Sequence, residues 1–214
     1  MFFKRYNYDS LVKSIIDTQL AREEFRYKPS EVALLVIDVQ SEFCDPDKPR
    51  GNGETYYISK KIKSIIPAFR KASIPVYAIY MTETKSEDLD FYKFVPEAND
   101  IIIRKPEPCA FKNSYPDLKT SLKRNGIKTI IACGFNKNGC VRETLVAARR
   151  KGFNAFLLED LSGNDNENRS NSVLHRPNSI ANDEMEFYNV KFINSTQLLK
   201  DIKVRRPKGI KLNV

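Results

Sequence analysis

The sequence predicts a doubly wound (Rossmann-like) α/β domain, three layers (α/β/α) built on a central, mostly parallel six-stranded sheet. Three observations lead there. Short runs rich in Val, Ile and Leu recur along the chain without polar interruption, as strands covered on both faces require. Longer stretches between them carry apolar residues at helical spacing, and that alternation implies parallel strands joined by right-handed crossovers. Several of the apolar runs also end in charged or reactive side chains, at the edge where such sheets bind ligands.

Composition sets the bounds. With 214 residues, 41% of them hydrophobic, the chain can bury a substantial core and is expected to form one main domain, 31–203. A helical extension, 1–30, precedes it and a basic tail, 204–214, follows. Thirty-six basic against 27 acidic side chains leave a net charge of +9, gathered partly in Lys203, Arg205, Arg206, Lys208 and Lys211. That favours anionic small molecules, but a diffuse excess is more often a solvated background than a nucleic-acid groove. The four cysteines form no CxxC, and the opening MFFKRYNYDSLVK lacks the apolar core of a secretory signal, so a reducing cytoplasm is expected. No run approaches the roughly 20 apolar residues of a membrane span. No strand is followed by GxGxxG, which disfavours a dinucleotide-binding oxidoreductase.

Taken in order, Ser10–Phe25 places Leu11, Ile15, Ile16 and Leu20 on one helical stripe. Val32–Val39 is the strongest strand signal, and Asp38 is the charge that interrupts it. The segment from Gln40 to Tyr57, with two prolines and two glycines, reads as a surface loop. Ile58, Ile62, Ile65 and Phe69 mark a helix that Pro67 should kink. Val76–Tyr80 is the second strand, Met81–Asp100 holds a short helix, and Ile101–Ile103 is the third strand, ending in Arg104 and Lys105. Ser114, with Asp117 three residues on, caps a helix that Asn125-Gly126 stops. Thr129–Cys133 is a central strand ended by Gly134, and a helix from Val141 stops at Gly152, with Cys140 in its first turn. Ala155–Leu158 is the fifth strand, and the polar window Leu161–Ser172 is a loop or lid. A helix at Ser179–Tyr188, a strand at Val190–Ile193 and a helix from Asn194 to about Ile202 complete the domain.

Cys140 admits two readings. Unpaired backbone N–H groups and the dipole at a helix start favour an anion, which would shift the thiol from its reference value near ~8.5 toward the nucleophilic thiolate. A free cysteine is equally often a small buried hydrophobe. Asp38 alone could cap a helix, Lys105 alone could be a solvated charge, and Phe43 and Phe111 could be ordinary core. Asp38, Lys105 and Cys140 nevertheless lie at three strand ends that the fold can bring together, and this favours a joint chemical role.

At these residues the sequence resembles the isochorismatase-like cysteine hydrolases, a superfamily that includes nicotinamidases and carbamoyl-amide hydrolases. The resemblance rests on LLVIDVQSEF, on KPEPCAFKNS with Lys105 five residues before Ala110-Phe111, and on GFNKNGCVRETLVAARRKGFNAFLLED with Gly134 six before Cys140. It implies a triad of Asp38 as acid/base, Lys105 as thiolate stabiliser and Cys140 as nucleophile. It also implies a cis peptide between Phe135 and Asn136, with the backbone N–H groups of Asn136 and Cys140 forming an oxyanion hole. Gln40, Phe43 and Phe111 become candidate substrate-binding residues, and a homo-dimer or tetramer is expected.

The sequence also departs from the pattern. Its single histidine, His175, lies in a late polar region, which argues against the zinc site of nicotinamidases, and Cys44, Cys109 and Cys140 are spaced too widely to suggest one. No metal or other cofactor is expected. The leading expectation is a metal-free hydrolase of a small amide or carbamoyl bond. The alternatives are an isochorismatase-type vinyl ether hydrolase, in which Asp38 protonates the substrate, and an inactive relative that binds an anionic partner.

Overall fold

The computed structural model describes residues 25–82, 90–166, 178–203 and 210–212. The strands are β1 (Phe25–Tyr27), β2 (Val32–Ile37), β3 (Val76–Met81), β4 (Ile101–Lys105), β5 (Thr129–Phe135), β6 (Asn154–Gly163), β7 (Lys191–Ile193) and β8 (Ile210–Leu212). Six of them form one all-parallel sheet in the order β4-β3-β2-β5-β6-β7. The direction of winding reverses between β2 and β5, the crevice where a doubly wound sheet binds ligands. β1 and β8 pair antiparallel as a separate ribbon.

The helices are α1 (Ser41–Cys44), α2 (Gly53–Lys71), α3 (Leu118–Arg124), α4 (Arg142–Arg150), α5 (Asn178–Phe187) and α6 (Ser195–Lys203). Pleating sends alternate residues to opposite faces. Val32, Leu34 and Val36 pack with Ile62, Ile66 and Phe69 of α2 and Leu198 of α6. Ala33, Leu35 and Ile37 pack with Leu122 of α3, Leu145 and Ala148 of α4 and Met185 of α5. All six residues of β2 are buried, so this strand is the spine of both cores.

The structure corrects several boundaries. The expected long loop is shorter, because α2 begins at Gly53: the Asn52 side chain accepts from the N–H groups of Glu54 and Thr55 in a capping box. α2 then runs through Pro67 to Lys71. Asp117, not Ser114, is the N-cap of α3, accepting from the Thr120 N–H at 2.8 Å. Ser114 accepts instead from the N–H of Leu118, the first residue of α3, at 3.1 Å. β5 passes through Gly134 to Phe135, and β6 continues to Gly163 through the first three residues of what reads as a lid. Among the described residues between Met81 and Asp100 there is no helix. The expected helix over Ser10–Phe25 lies outside the described residues except for Phe25, which begins β1. His175, residues 167–172 of the expected lid and most of the basic tail also lie outside them.

Candidate active site

β2 ends at Ile37, and Asp38 takes φ 53°, a left-handed conformation that aspartate tolerates better than most residues. The turn is held by the Asp38 N–H donating to Ile79 O at 2.8 Å. Lys105 closes β4, on the far side of β3. Its extended side chain crosses the end of β3 and brings Nζ 2.8 Å from Asp38 Oδ2 and 3.7 Å from Met81 Sδ. Two strand spacings separate β2 from β4, about 10 Å, a gap that only a long side chain bridges. Both partners are removed from solvent, with side-chain exposures of 0% for Lys105 and 1% for Asp38. Asp38 Oδ1 accepts no hydrogen bond, so one buried carboxylate oxygen keeps its proton-accepting capacity.

Cys140 comes from the other side of the crevice. Lys137–Val141 form a π-type turn ahead of α4, broken at Gly139, and the carbonyl of Asn136 accepts from the N–H groups of Gly139 at 3.0 Å and Val141 at 3.1 Å. The Phe135-Asn136 peptide is cis. Gly134, at φ +117°, lets β5 reach this turn against the end of β2, since a Cβ there would lie 2.0 Å from Ile37 O. Cys140 is buried, and Asp38 and Lys105 both act on its sulfur.

The electrostatics reverse one expectation. Burial, followed by the Asp38 carboxylate, pushes the Cys140 thiol above its ordinary value, while Lys105 pulls it back. The helix start does not dominate, because desolvation disfavours the thiolate. Burial likewise raises the Asp38 carboxyl against the attraction of Lys105. For Lys105 burial pulls downward, and the charges of Asp38 and Cys140 together overcome it, so the amine is held above its ordinary value. The thiolate is therefore disfavoured where the thiol rests, beside the buried Asp38–Lys105 pair. A carboxylate with a raised pKa is the better base for that thiol.

The other candidates fall in different places. The Gln40 side chain accepts from the Met81 N–H at 2.8 Å and donates to the Met81 carbonyl at 3.3 Å, so it ties the end of β2 to the end of β3. Phe43 is buried in α1 under the guanidinium of Arg50, whose Cζ lies 4.5 Å from the ring centroid. Arg50 also lowers the Asp38 pKa through space. Phe111 lies elsewhere. Its ring pairs with Phe153 at 6.0 Å and with Lys151 Nζ at 5.7 Å, both past the C-terminal end of α4, whereas Cys140 precedes the N-terminal end.

Sequence reasoning missed a set of polar residues that bind the cysteine turn from behind. Asn136 Nδ2 donates to Asp165 Oδ2 at 3.1 Å, and the Asp165 N–H returns a bond to Asn136 Oδ1 at 2.6 Å. The Asn138 N–H donates to Asn164 Oδ1 at 3.0 Å, and buried Arg142 donates to the Asn138 carbonyl at 2.8 Å. The density of Asn and Asp in LSGNDNEN was the available signal, but its partners lie far off in sequence. Among the described residues no group of three or more His, Cys, Asp or Glu side chains is arranged to hold a metal ion, and no helix is long and apolar enough to cross a membrane.

Known proteins share this fold. The chain is 24% identical over 181 residues to an uncharacterized isochorismatase family protein, YrdC, of Bacillus subtilis (strain 168), covering 79% of this chain and 95% of that protein. A cysteine hydrolase from Pseudomonas syringae pv. phaseolicola 1448A superposes with a TM-score of 0.71 at 19% identity, over 84% of this chain and 96% of the other. N-carbamoylsarcosine amidase from Thermoplasma acidophilum superposes with a TM-score of 0.62 at 20% identity, over 77% and 96%. At such identities the structural likeness establishes the fold. The Isochorismatase domain family itself matches residues 32–178, from the first residue of β2 to the first of α5, and the chain is thus a hydrolase belonging to the isochorismatase family.

Proposed function

We propose that the protein is a cysteine hydrolase that cleaves a small amide or carbamoyl C–N bond through an acyl-enzyme on Cys140. The observation that carries this reading is the fully buried Asp38–Lys105 pair at the switch point, with Asp38 Oδ1 unpartnered and both groups acting on the thiol. As the sulfur attacks the substrate carbonyl, its proton passes to Asp38. Lys105 offsets the charge that develops on sulfur. The backbone N–H groups of Asn136 and Cys140 receive the oxyanion, and Asp38 returns the proton to the leaving nitrogen. Water then attacks the thioester with Asp38 as base, releasing the acid and restoring the thiol.

The raised carboxyl of Asp38 also suits it to protonate a vinyl ether, which keeps the isochorismatase reaction as the second reading. A panel of small amides, ureido compounds, carbamates and vinyl ethers separates the two. Ammonia or carbamate release lost in Cys140→Ser supports the cysteine hydrolase. Pyruvate release that survives Cys140→Ser but disappears in Asp38→Asn favours the second reaction and removes the first.

A further inference from the structure

We infer that Asp165 is a positioning residue for acyl transfer, holding the Asn136 turn so that its backbone N–H meets the developing oxyanion. The inference rests on the acyl-enzyme reading above. Its basis is the reciprocal pair of bonds between Asn136 and Asp165, which uses both ends of the Asn136 amide. An amide held at both oxygen and nitrogen cannot rotate, so the residue that follows the Phe135 peptide is fixed in orientation as well as place.

Asp165 is in turn held by charge. Its side chain is 0% exposed, and Oδ2 accepts from Arg50 Nε at 2.8 Å and lies 2.8 Å from Arg50 Nη2. Flanking residues fasten the same strip of chain to both sides. Asn164 holds the Asn138 N–H and accepts through its carbonyl from Asn52 Nδ2 at 3.2 Å. The Asn166 N–H donates to the Arg50 carbonyl at 2.8 Å, and its Nδ2 donates to the Gly51 carbonyl at 2.8 Å. Residues 164–166 thus staple the Pro49–Asn52 loop to the cysteine turn. A buried ion pair is a weak source of stability, so a buried aspartate here fits better as a device for orientation. Asp165 bonds to Asn136 and Arg50, so the role inferred for it is to hold the turn and not to move the thiol proton.

This separation allows a test that needs no natural substrate. With p-nitrophenyl acetate, a sulfur–acyl bond forms at Cys140, the ester C–O bond breaks, nitrophenolate leaves with the bonding electrons and the thiol proton passes to Asp38. That step passes through an oxyanion. Alkylation of Cys140 by iodoacetamide needs the same thiolate but forms none. Asp165→Asn is expected to slow acylation at least about 10-fold while leaving the alkylation rate and its pH profile within about 2-fold, since a misplaced oxyanion donor costs part of the 100- to 1000-fold that a missing one does. Asn136→Ala, which removes both side-chain bonds but leaves the Arg50–Asp165 pair, should show the same selective loss, and the double variant should be no slower than the worse single one. It also carries the test if Asp165→Asn does not fold. Acylation and alkylation falling in parallel, acylation unchanged, or additive losses would each overturn the inference. A wild-type burst that persists in Cys140→Ser would instead remove the acyl-enzyme reading and this inference with it.

Discussion

The two sides of the crevice are built from different chemistry. On the β2–β4 side, one buried carboxylate meets one buried ammonium across the end of β3, and Gln40 ties the ends of β2 and β3 together. On the β5–β6 side, amides and backbone groups of Asn136, Asn138, Asn164 and Asp165 interlock around the turn that carries the thiol. The first side can take up or give back a proton. The second can hold a geometry while protons move. A cysteine hydrolase needs both properties, and dividing them between two halves of a sheet lets each be set without disturbing the other.

That division can be attacked from the proton side first. Asp38→Asn removes the proposed base without changing its size, and kcat should fall on the order of 10²- to 10⁴-fold. In the wild type, the acid limb of kcat/KM should lie above the ordinary aspartate value of 3.8, because Asp38 is raised and must be ionised to accept the thiol proton. A limb at or below 3.8 would place the base elsewhere.

Lys105→Ala is the next largest perturbation, now on stability. It leaves the Asp38 carboxylate buried without compensation, at a cost of about 3–5 kcal/mol in urea unfolding near pH 8. The cost should shrink as pH falls through the raised Asp38 value, since a protonated Asp38 no longer needs the ammonium. In the wild type the contribution of Lys105 is fully present below 10.5 and lost as pH rises through its elevated folded value. A penalty equal at pH 8 and at a pH below the ordinary aspartate value of 3.8 would contradict the burial of the pair.

Gly134→Ala strikes the other side without touching a charge. The added Cβ meets Ile37 O at 2.0 Å in a left-handed backbone, so a loss of roughly 1–3 kcal/mol is expected, independent of pH over that range. Pairing this result with Lys105→Ala, through thermal unfolding at the two pH values, asks directly whether the two sides obey different rules.

The sheet and the strand-end positions of Asp38 and Lys105 were legible because one physical signal carried both. A strand buried on both faces must be apolar throughout, so Asp38 and Lys105 at the ends of VALLVID and IIIRK stand out against their own runs. Local signals were weaker where two capping residues competed, as with Ser114 and Asp117, or where a glycine- and proline-rich loop hid Asn52 as the start of α2. The direction of the Cys140 shift was misjudged because sequence reveals a helix start but not the depth of burial, and burial outweighs it. The resemblance put Phe111 among the substrate-binding candidates, yet the Cys109–Phe111 stretch runs alongside α4, with Ala110 N–H on Thr144 Oγ1 at 3.1 Å. The Asn164–Asn166 staple was out of reach for another reason: its bonds join residues 29 and 115 positions apart, and an asparagine-rich window looks the same whether it is solvated or buried.

The central place of β2 has a consequence for how the chain is made. Its β3 neighbour follows closely in sequence, but its other edge is covered by β5, in register from Val32 with Thr129 to Ile37 with Gly134. During synthesis, β2, β3 and β4 leave the ribosome long before β5, so the most apolar strand of the protein waits with one bare edge until Thr129 emerges. An unpaired edge of that kind is a template for the wrong partner. Nascent chains arrested before β5 should depend on chaperones more heavily than chains arrested after it.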